Sequence, residues 1–144
     1  MNYYKIFSCI YRNMISIYKK NDLQTDESYL EHIVNFIKFT SKLLKFDDNF
    51  NIYLIGKGAE SDTTTGGYRK DNNTITCLYE DRALIDILRS IAHEIEHQRQ
   101  NNFNLIGDKP QNIGGFLEND ANIIAGILIK LYVRFIDDHN IYWM

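Results

Sequence analysis

Two histidines and two glutamates in one short stretch have the types and spacing to bind a metal ion and to use it in hydrolysis. The stretch is His93-Glu94-Ile95-Glu96-His97, an HExxH pattern. On an α-helix, with about 100° per residue, the two histidines differ by only about 40°, so both imidazoles leave the same face one turn apart. Their ring nitrogens can then reach one zinc ion at about 2 Å. Ile95 points away from that face, which predicts an apolar contact behind the histidines.

A glutamate next to the histidines can serve as the general base of hydrolysis. Glu94 and Glu96 lie about 80° to either side of the direction that bisects the two histidines, so the angles alone do not choose between them. The motif assigns the role of base to the glutamate directly after the first histidine, which is Glu94 here. We expect Glu96 to face solvent and to pair with Arg99 or Arg89.

A catalytic zinc site needs a third protein ligand. The plausible ligands downstream of the motif are Asp108, Glu118, Asp120 and His139. Glu118 begins the sequence Glu-Asn-Asp-Ala-Asn over 118–122, about 20 residues beyond His97 and at the start of a predicted helix. Asn122 follows one turn later on the same face and could hydrogen-bond the far nitrogen of a ligand histidine. The helix dipole alone also favours an acidic residue in the first turn, and it favours Asp120 as much as Glu118.

The elements that must position these residues are predicted from hydrophobic spacing. Apolar residues at helical intervals predict one helix over 3–19 and a second from a Thr25 cap to about 46. A strand follows at 51–55, and then a hairpin of 66–69 and 74–78 with a turn at 71–73.

The second half of the chain is predicted to be helical. Asp81 is the expected cap of a helix over about 82–100, which carries the HExxH motif. A loop over 101–114 leads to a last helix over about 115–138. Two helices, a small antiparallel sheet and two further helices predict an α+β fold.

The chain has 144 residues, which fits one domain over 1–144, with an N-terminal helical pair over 1–46 and a zinc-site core over 51–138. The helical pair is expected to complete the core, or otherwise to cover a cleft or bind a partner. The aromatic segment 139–144 is expected to dock on the body or on another protein.

Composition excludes several classes of protein. The formal charge of −3 disfavours a net-basic nucleic-acid binder. No apolar run approaches the roughly 20 residues that span a bilayer, and Lys5 and Arg12 interrupt any signal-like stretch. Two cysteines far apart predict neither a disulfide scaffold nor a cysteine metal site, so we expect a reduced, cytoplasmic setting.

The excess of 21 Ile and 15 Asn suggests an AT-rich genome, such as that of a low-GC bacterium or its phage. If the protein is phage encoded, it is expected to be virion-associated.

HExxH followed by Glu-x-x-Ala-Asn resembles the gluzincin zinc peptidases. Over about residues 51–130 the chain is most similar to ImmA/IrrE-like metallopeptidase domains and minimal gluzincins. The resemblance implies a zincin-like fold, in which a small sheet precedes the HExxH helix and a later helix supplies a glutamate. It implies one Zn²⁺ held by His93, His97 and Glu118, with Glu94 as general base. Asn122 matches the residue that orients a ligand histidine.

The expected activity is hydrolysis of a peptide or protein substrate by a zinc-activated water, without a nucleic-acid or membrane partner. An unpaired strand edge at Gly66-Gly67-Tyr68 could hold an extended peptide, unless the two glycines merely bend the hairpin. Candidates for stabilising the oxyanion are Tyr68, Tyr79, Tyr132 and His139. Two alternatives stay open: hydrolysis of a non-peptide amide, and a non-catalytic zincin-fold binding or structural protein, for example of a phage, with zinc stabilising the fold.

Overall fold

The computed structural model describes residues 3–10, 14–45, 49–58, 66–69, 73–103 and 115–144. The strands are β1 (Tyr3–Ile10), β2 (Met14–Lys20), β3 (Phe50–Ile55), β4 (Gly66–Arg69) and β5 (Thr74–Leu78). The α-helices are α1 (Glu27–Leu43), α2 (Leu84–Asn102) and α3 (Phe116–Ile136), and a 3₁₀ helix covers His139–Trp143. These elements form an α+β fold, as predicted. The turn residues 70–72 and the loop residues 104–114 lie outside the described part of the chain.

The described strands form one mixed sheet in the order β1-β2-β3-β5-β4. The β1–β2 and β4–β5 pairs are antiparallel, whereas β2–β3 and β3–β5 are parallel. The prediction of an antiparallel sheet is therefore wrong. The reason is the long connection through α1. It carries the chain from the end of β2 back to the side of the sheet where β2 begins, so that β3 runs in the same direction as β2.

The predicted helix over 3–19 is also wrong, because this segment forms the antiparallel pair of β1 and β2. In β2 the alternating residues Ile15 and Ile17 are buried, as expected of a strand. Its backbone groups pair with β3, and Tyr18 stacks on Tyr53 of that strand at 4.8 Å. Isoleucine and tyrosine favour strands when such partners are present, and the partners lie far away in sequence.

The second predicted helix is confirmed as α1. Asp26 rather than Thr25 is its N-cap, since the Asp26 carboxylate accepts hydrogen bonds from the N–H groups of Ser28 and Tyr29. The inner face of α1 is fully buried, and its Phe36 packs edge-on against Tyr132 of α3 at 5.2 Å. This helix thus completes the core, as expected.

Helices α2 and α3 match the remaining predictions, with one local difference. Asp81 is not the cap of α2, because its backbone is left-handed, at φ 56°, and its carboxylate pairs with Lys57 instead. The helix begins after Ala83. Along α2, the apolar residues Leu88, Ile91 and Ile95 are buried and hold the motif-bearing turn against the core.

The segment after α3 docks on the body. Ile141 is fully buried, and the N–H of Leu84 donates a hydrogen bond to the Met144 carbonyl at 3.1 Å. The contact ties the segment to the first turn of α2. Among the described residues, no helix has both the length and the apolar character needed to cross a membrane.

Candidate metal centre

One turn of α2 and the first turn of α3 bring three potential metal ligands together. His93 Nε2 lies 3.1 Å from His97 Nε2. The Glu118 carboxylate contacts both rings, with Oε2 at 3.0 Å from His93 Nε2 and Oε1 at 2.8 Å from His97 Nε2. The three side chains that we expected to converge from the sequence therefore do so.

The geometry of this group fits a zinc ion. Ligand atoms about 2.1 Å from zinc in a tetrahedron are about 3.4 Å apart. The separations between these nitrogens and oxygens, 2.8 to 3.1 Å, are a few tenths of an ångström shorter. Two imidazoles and a carboxylate are the donors of many catalytic zinc sites. The side chains of His93, His97 and Glu118 are 18%, 12% and 32% exposed, so small molecules can reach the group from solvent.

Other candidate ligands are not part of the group. Asp120 lies two residues after Glu118 and accepts a hydrogen bond from Gln100, and His139 lies in the 3₁₀ helix. Neither belongs to the cluster that the described residues form around the two motif histidines. Asp108 lies outside the described residues.

The packing of α2 against α3 explains why Glu118 reaches the histidines. Ile95 is buried behind them, as the helical angles predicted. Ala121 is fully buried one turn after Glu118, and its small side chain lets the two helices approach closely. Glu118 itself lies in the first turn of α3, where the helix dipole stabilises a negative charge.

The surroundings of His93 favour its neutral form. Burial lowers its pKa, and the neighbouring His97 lowers it further, against the opposing effects of Glu118 and of the hydrogen bond that the ring donates to Asn122. A neutral imidazole keeps a lone pair for a metal. The contact with Asn122 is the one expected of a residue that orients a ligand histidine.

Glu94 is almost completely buried, between α2 and the beginning of β4. A Cβ atom placed on Gly66 would lie only 3.5 Å from both the Cγ and the Oε1 of Glu94. Burial raises the pKa of the Glu94 carboxyl to about 7, and the charge of Glu118 raises it as well, against the opposing effect of His97. A carboxyl with this pKa can both accept and release a proton near neutral pH.

In the metal-free protein, Glu94 is expected to make folding more favourable at low pH than at high pH. The folded state prefers the protonated carboxyl, so its stabilising contribution is complete below the ordinary pKa of 4.5 and is lost as the pH rises through about 7. At about 1.4 kcal/mol per pH unit, this contribution is about 3 kcal/mol. Urea unfolding with a chelator at about pH 5 and about pH 8 measures it.

The matched variant for this measurement is Glu94→Gln, which keeps the shape of the side chain but does not titrate. Its free energy of unfolding should fall less between the two pH values than that of the wild type. Because His93 and the other groups titrate in both proteins, the difference isolates Glu94. An equal pH dependence in both proteins would contradict the raised pKa.

The expectation that Glu96 faces solvent is wrong. This side chain is fully buried, because the start of α3 packs over it. Its pairing with Arg99 is confirmed, and the contact is bidentate, at 2.6 and 2.8 Å. Burial raises the pKa of Glu96, and its hydrogen bond with Asp120 acts in the same direction.

Sequence reasoning missed Gln100. Its side chain is buried and touches His97, Leu117 and Asp120. Its position three residues after His97 on a helix was the available signal, since residues with this spacing lie on one face. A glutamine is common on helix surfaces, so the spacing alone did not distinguish it.

The predicted substrate edge lies next to Glu94. β4 is the last strand of the described sheet and pairs with β5 on one side only. Gly66 lies against Glu94, whereas a Cβ atom on Gly67 would meet no atom of the described residues within 4 Å. Tyr68 is placed by its backbone alone, which pairs with Ile75; its side chain lies outside the described part of the structure.

Two tyrosines that were candidates for stabilising the oxyanion, Tyr79 and Tyr132, use their hydroxyl groups to contact α1 or its N-cap residue. The Tyr79 hydroxyl accepts a hydrogen bond from the Asp26 N–H at 3.0 Å. The Tyr132 hydroxyl lies 3.1 Å from Nδ1 of His32 and is buried. These contacts give both tyrosines a structural role.

No protein-family model matches the chain, and no curated protein matches it either.

Proposed function

We propose that this protein is a zinc-dependent peptidase with a zincin-like arrangement of its active-site helices. The observation that carries the proposal is the convergence of His93, His97 and Glu118 within hydrogen-bond distance, next to the buried Glu94. The likeness of the HExxH and Glu-x-x-Ala-Asn segments to gluzincins supports the same function.

The three ligand side chains have electron pairs that point at one place. Such donors repel one another unless a proton or a cation lies between them, and a metal ion bound by all three would remove this repulsion. A zinc ion there would supply an acidified water and an electrophile for a carbonyl group. The chain's own residues hold this site open to solvent on one side and packed on Ile95 on the other.

Glu94 is the proposed general base. Its carboxyl would take a proton from the attacking water and return it to the leaving amine. The raised pKa suits both steps, since the group must accept a proton and then give it up at the same pH. Glu96 is not available for this role, because Arg99 and Asp120 engage its carboxyl.

The proposed substrate is an extended peptide that adds to the outer edge of β4. The backbone of an unpaired edge strand offers hydrogen bonds to another strand. Gly66 places this edge directly beside Glu94, and the open space at Gly67 lets a second chain approach. The site thus has a place for the peptide backbone next to the proposed base.

Elemental analysis of the purified protein tests the proposal. The wild type is expected to carry about one zinc per chain, and His93→Ala to carry almost none, because two ligands hold zinc far more weakly than three. His139→Ala is the matched control, since this histidine is exposed and lies outside the cluster. A wild type that binds no zinc, even when zinc is supplied, would overturn the proposal.

Cleavage of a random peptide library then separates a peptidase from a protein in which zinc only stabilises the fold.

A further inference from the structure

A partly buried polar network joins α2 to α3 beside the candidate metal ligands. Its members are Glu96, Arg99 and Gln100 of α2 and Asp120 of α3. Gln100 is only 1% exposed, although glutamine is seldom buried to this degree. Buried polar groups of this kind persist where hydrogen bonds satisfy them, so each bond of Gln100 is informative.

The amide of Gln100 is fully engaged. Its Nε2 donates to the Leu117 carbonyl at 2.9 Å and to Asp120 Oδ2 at 2.8 Å. Its Oε1 lies 2.8 Å from Nδ1 of His97. One side chain therefore joins a candidate metal ligand on α2 to the residues on both sides of Glu118 on α3.

These contacts define the tautomer of His97, that is, which ring nitrogen of the neutral imidazole carries the proton. A backbone carbonyl and a carboxylate only accept hydrogen bonds, so the NH₂ group of Gln100 must face Leu117 and Asp120. The amide oxygen then faces His97, and because it too only accepts, the proton of the imidazole must lie on Nδ1. The lone pair of His97 is thereby left on Nε2, the atom that faces His93 and Glu118.

We propose that Gln100 is a positioning residue of the metal centre, which fixes the metal-binding tautomer of His97 and ties that ring to the turn of α3 that carries Glu118. The role of Gln100 in metal binding rests on the proposed function, whereas its effect on the tautomer does not.

The network also anchors Gln100 itself. Asp120 accepts from Gln100 and shares one proton with Glu96 in a carboxyl–carboxyl hydrogen bond. The two oxygens of Glu96 also accept from Arg99 Nε and the guanidinium NH₂. Arg99, Glu96, Asp120 and Gln100 thus form one continuous chain of contacts that ends at His97. This arrangement limits the rotation of Gln100 and, through it, of the His97 ring.

Replacing Gln100 with methionine tests the proposal, because methionine keeps the length of the side chain but makes no amide hydrogen bond. Zinc affinity, measured by competition with a chromophoric chelator, is expected to fall about 10-fold to 100-fold, as for other outer partners of ligand histidines. The matched control is Gln98→Met. Gln98 is equally buried and lies on the same helix, but its amide has no hydrogen-bond partner among the described residues.

Failure of the proposed function and failure of the proposed role of Gln100 give different results. A wild type that does not bind zinc contradicts the proposed function. A wild type that binds zinc, with Gln100→Met as tight as Gln98→Met, overturns the role of Gln100 and leaves the proposed function intact. Circular dichroism of both variants verifies that they are folded.

The tautomer is measured directly in the metal-free wild type and needs no variant. Long-range ¹H–¹⁵N spectra at about pH 8, where histidine is neutral, are expected to show the His97 proton on Nδ1. The Nδ1–H fraction should drop in Gln100→Met and stay unchanged in Gln98→Met. A wild-type ring with its proton on Nε2 would overturn the inference, whatever the protein's affinity for zinc.

Discussion

Glu94→Gln is expected to lower the rate of peptide hydrolysis by about 100-fold to 10,000-fold, the usual contribution of a positioned general base. Glutamine has the same shape but cannot take a proton from water. Zinc should stay bound, because Glu94 is not among the three converging ligand atoms. The measurement is kcat/KM on a peptide selected from the library, together with the zinc content of the same preparation.

The matched control for this variant is Glu31→Gln, which removes an exposed carboxylate from α1. Its activity should equal that of the wild type. Full activity in Glu94→Gln would show that another group accepts the proton, and the assignment of Glu94 would be wrong. Loss of activity together with loss of zinc would mean that Glu94 supports the metal rather than the proton transfer.

Glu118→Gln is expected to have the second large effect, on zinc binding. The glutamine keeps the packing of the first turn of α3 but loses the negative charge that contacts both histidines. The loss of zinc affinity should exceed the roughly 10-fold to 100-fold that removal of an outer hydrogen-bond partner costs. A competition titration with a chromophoric chelator measures it.

Asp137→Asn is the control for Glu118→Gln. It removes one negative charge from the other end of α3, at a left-handed position that asparagine tolerates. Zinc affinity should not change. If Glu118→Gln bound zinc as tightly as this control, the third ligand would have to be a different residue.

The candidate site was largely predictable because its parts follow local rules. The spacing of His93 and His97 places both rings on one face of any α-helix, and the apolar residues of α2 set which face is buried. Such features depend on residues within a few positions of each other. Spacing and residue type left several candidates for the third ligand, and the resemblance to gluzincins pointed to Glu118 among them and to Asn122 as the residue that orients a ligand histidine.

Glu96 and Gln100 were not predictable in this way. Both have types and positions that suit an exposed helix surface, and each is buried only because the first turn of α3 lies over it. Which face of α2 this turn covers depends on the packing of the two helices. The network around Gln100 therefore exists only in the assembled fold.

The N-terminal segment shows the same limit for secondary structure. The spacing of its isoleucines and tyrosines is compatible with a helix, yet β2 pairs with β3, more than 30 residues away. Local spacing determined the HExxH helix and the common face of its two histidines, because an α-helix satisfies its own backbone within one segment. Tertiary structure decided the strands and the polar network, because their hydrogen-bond partners lie on distant parts of the chain.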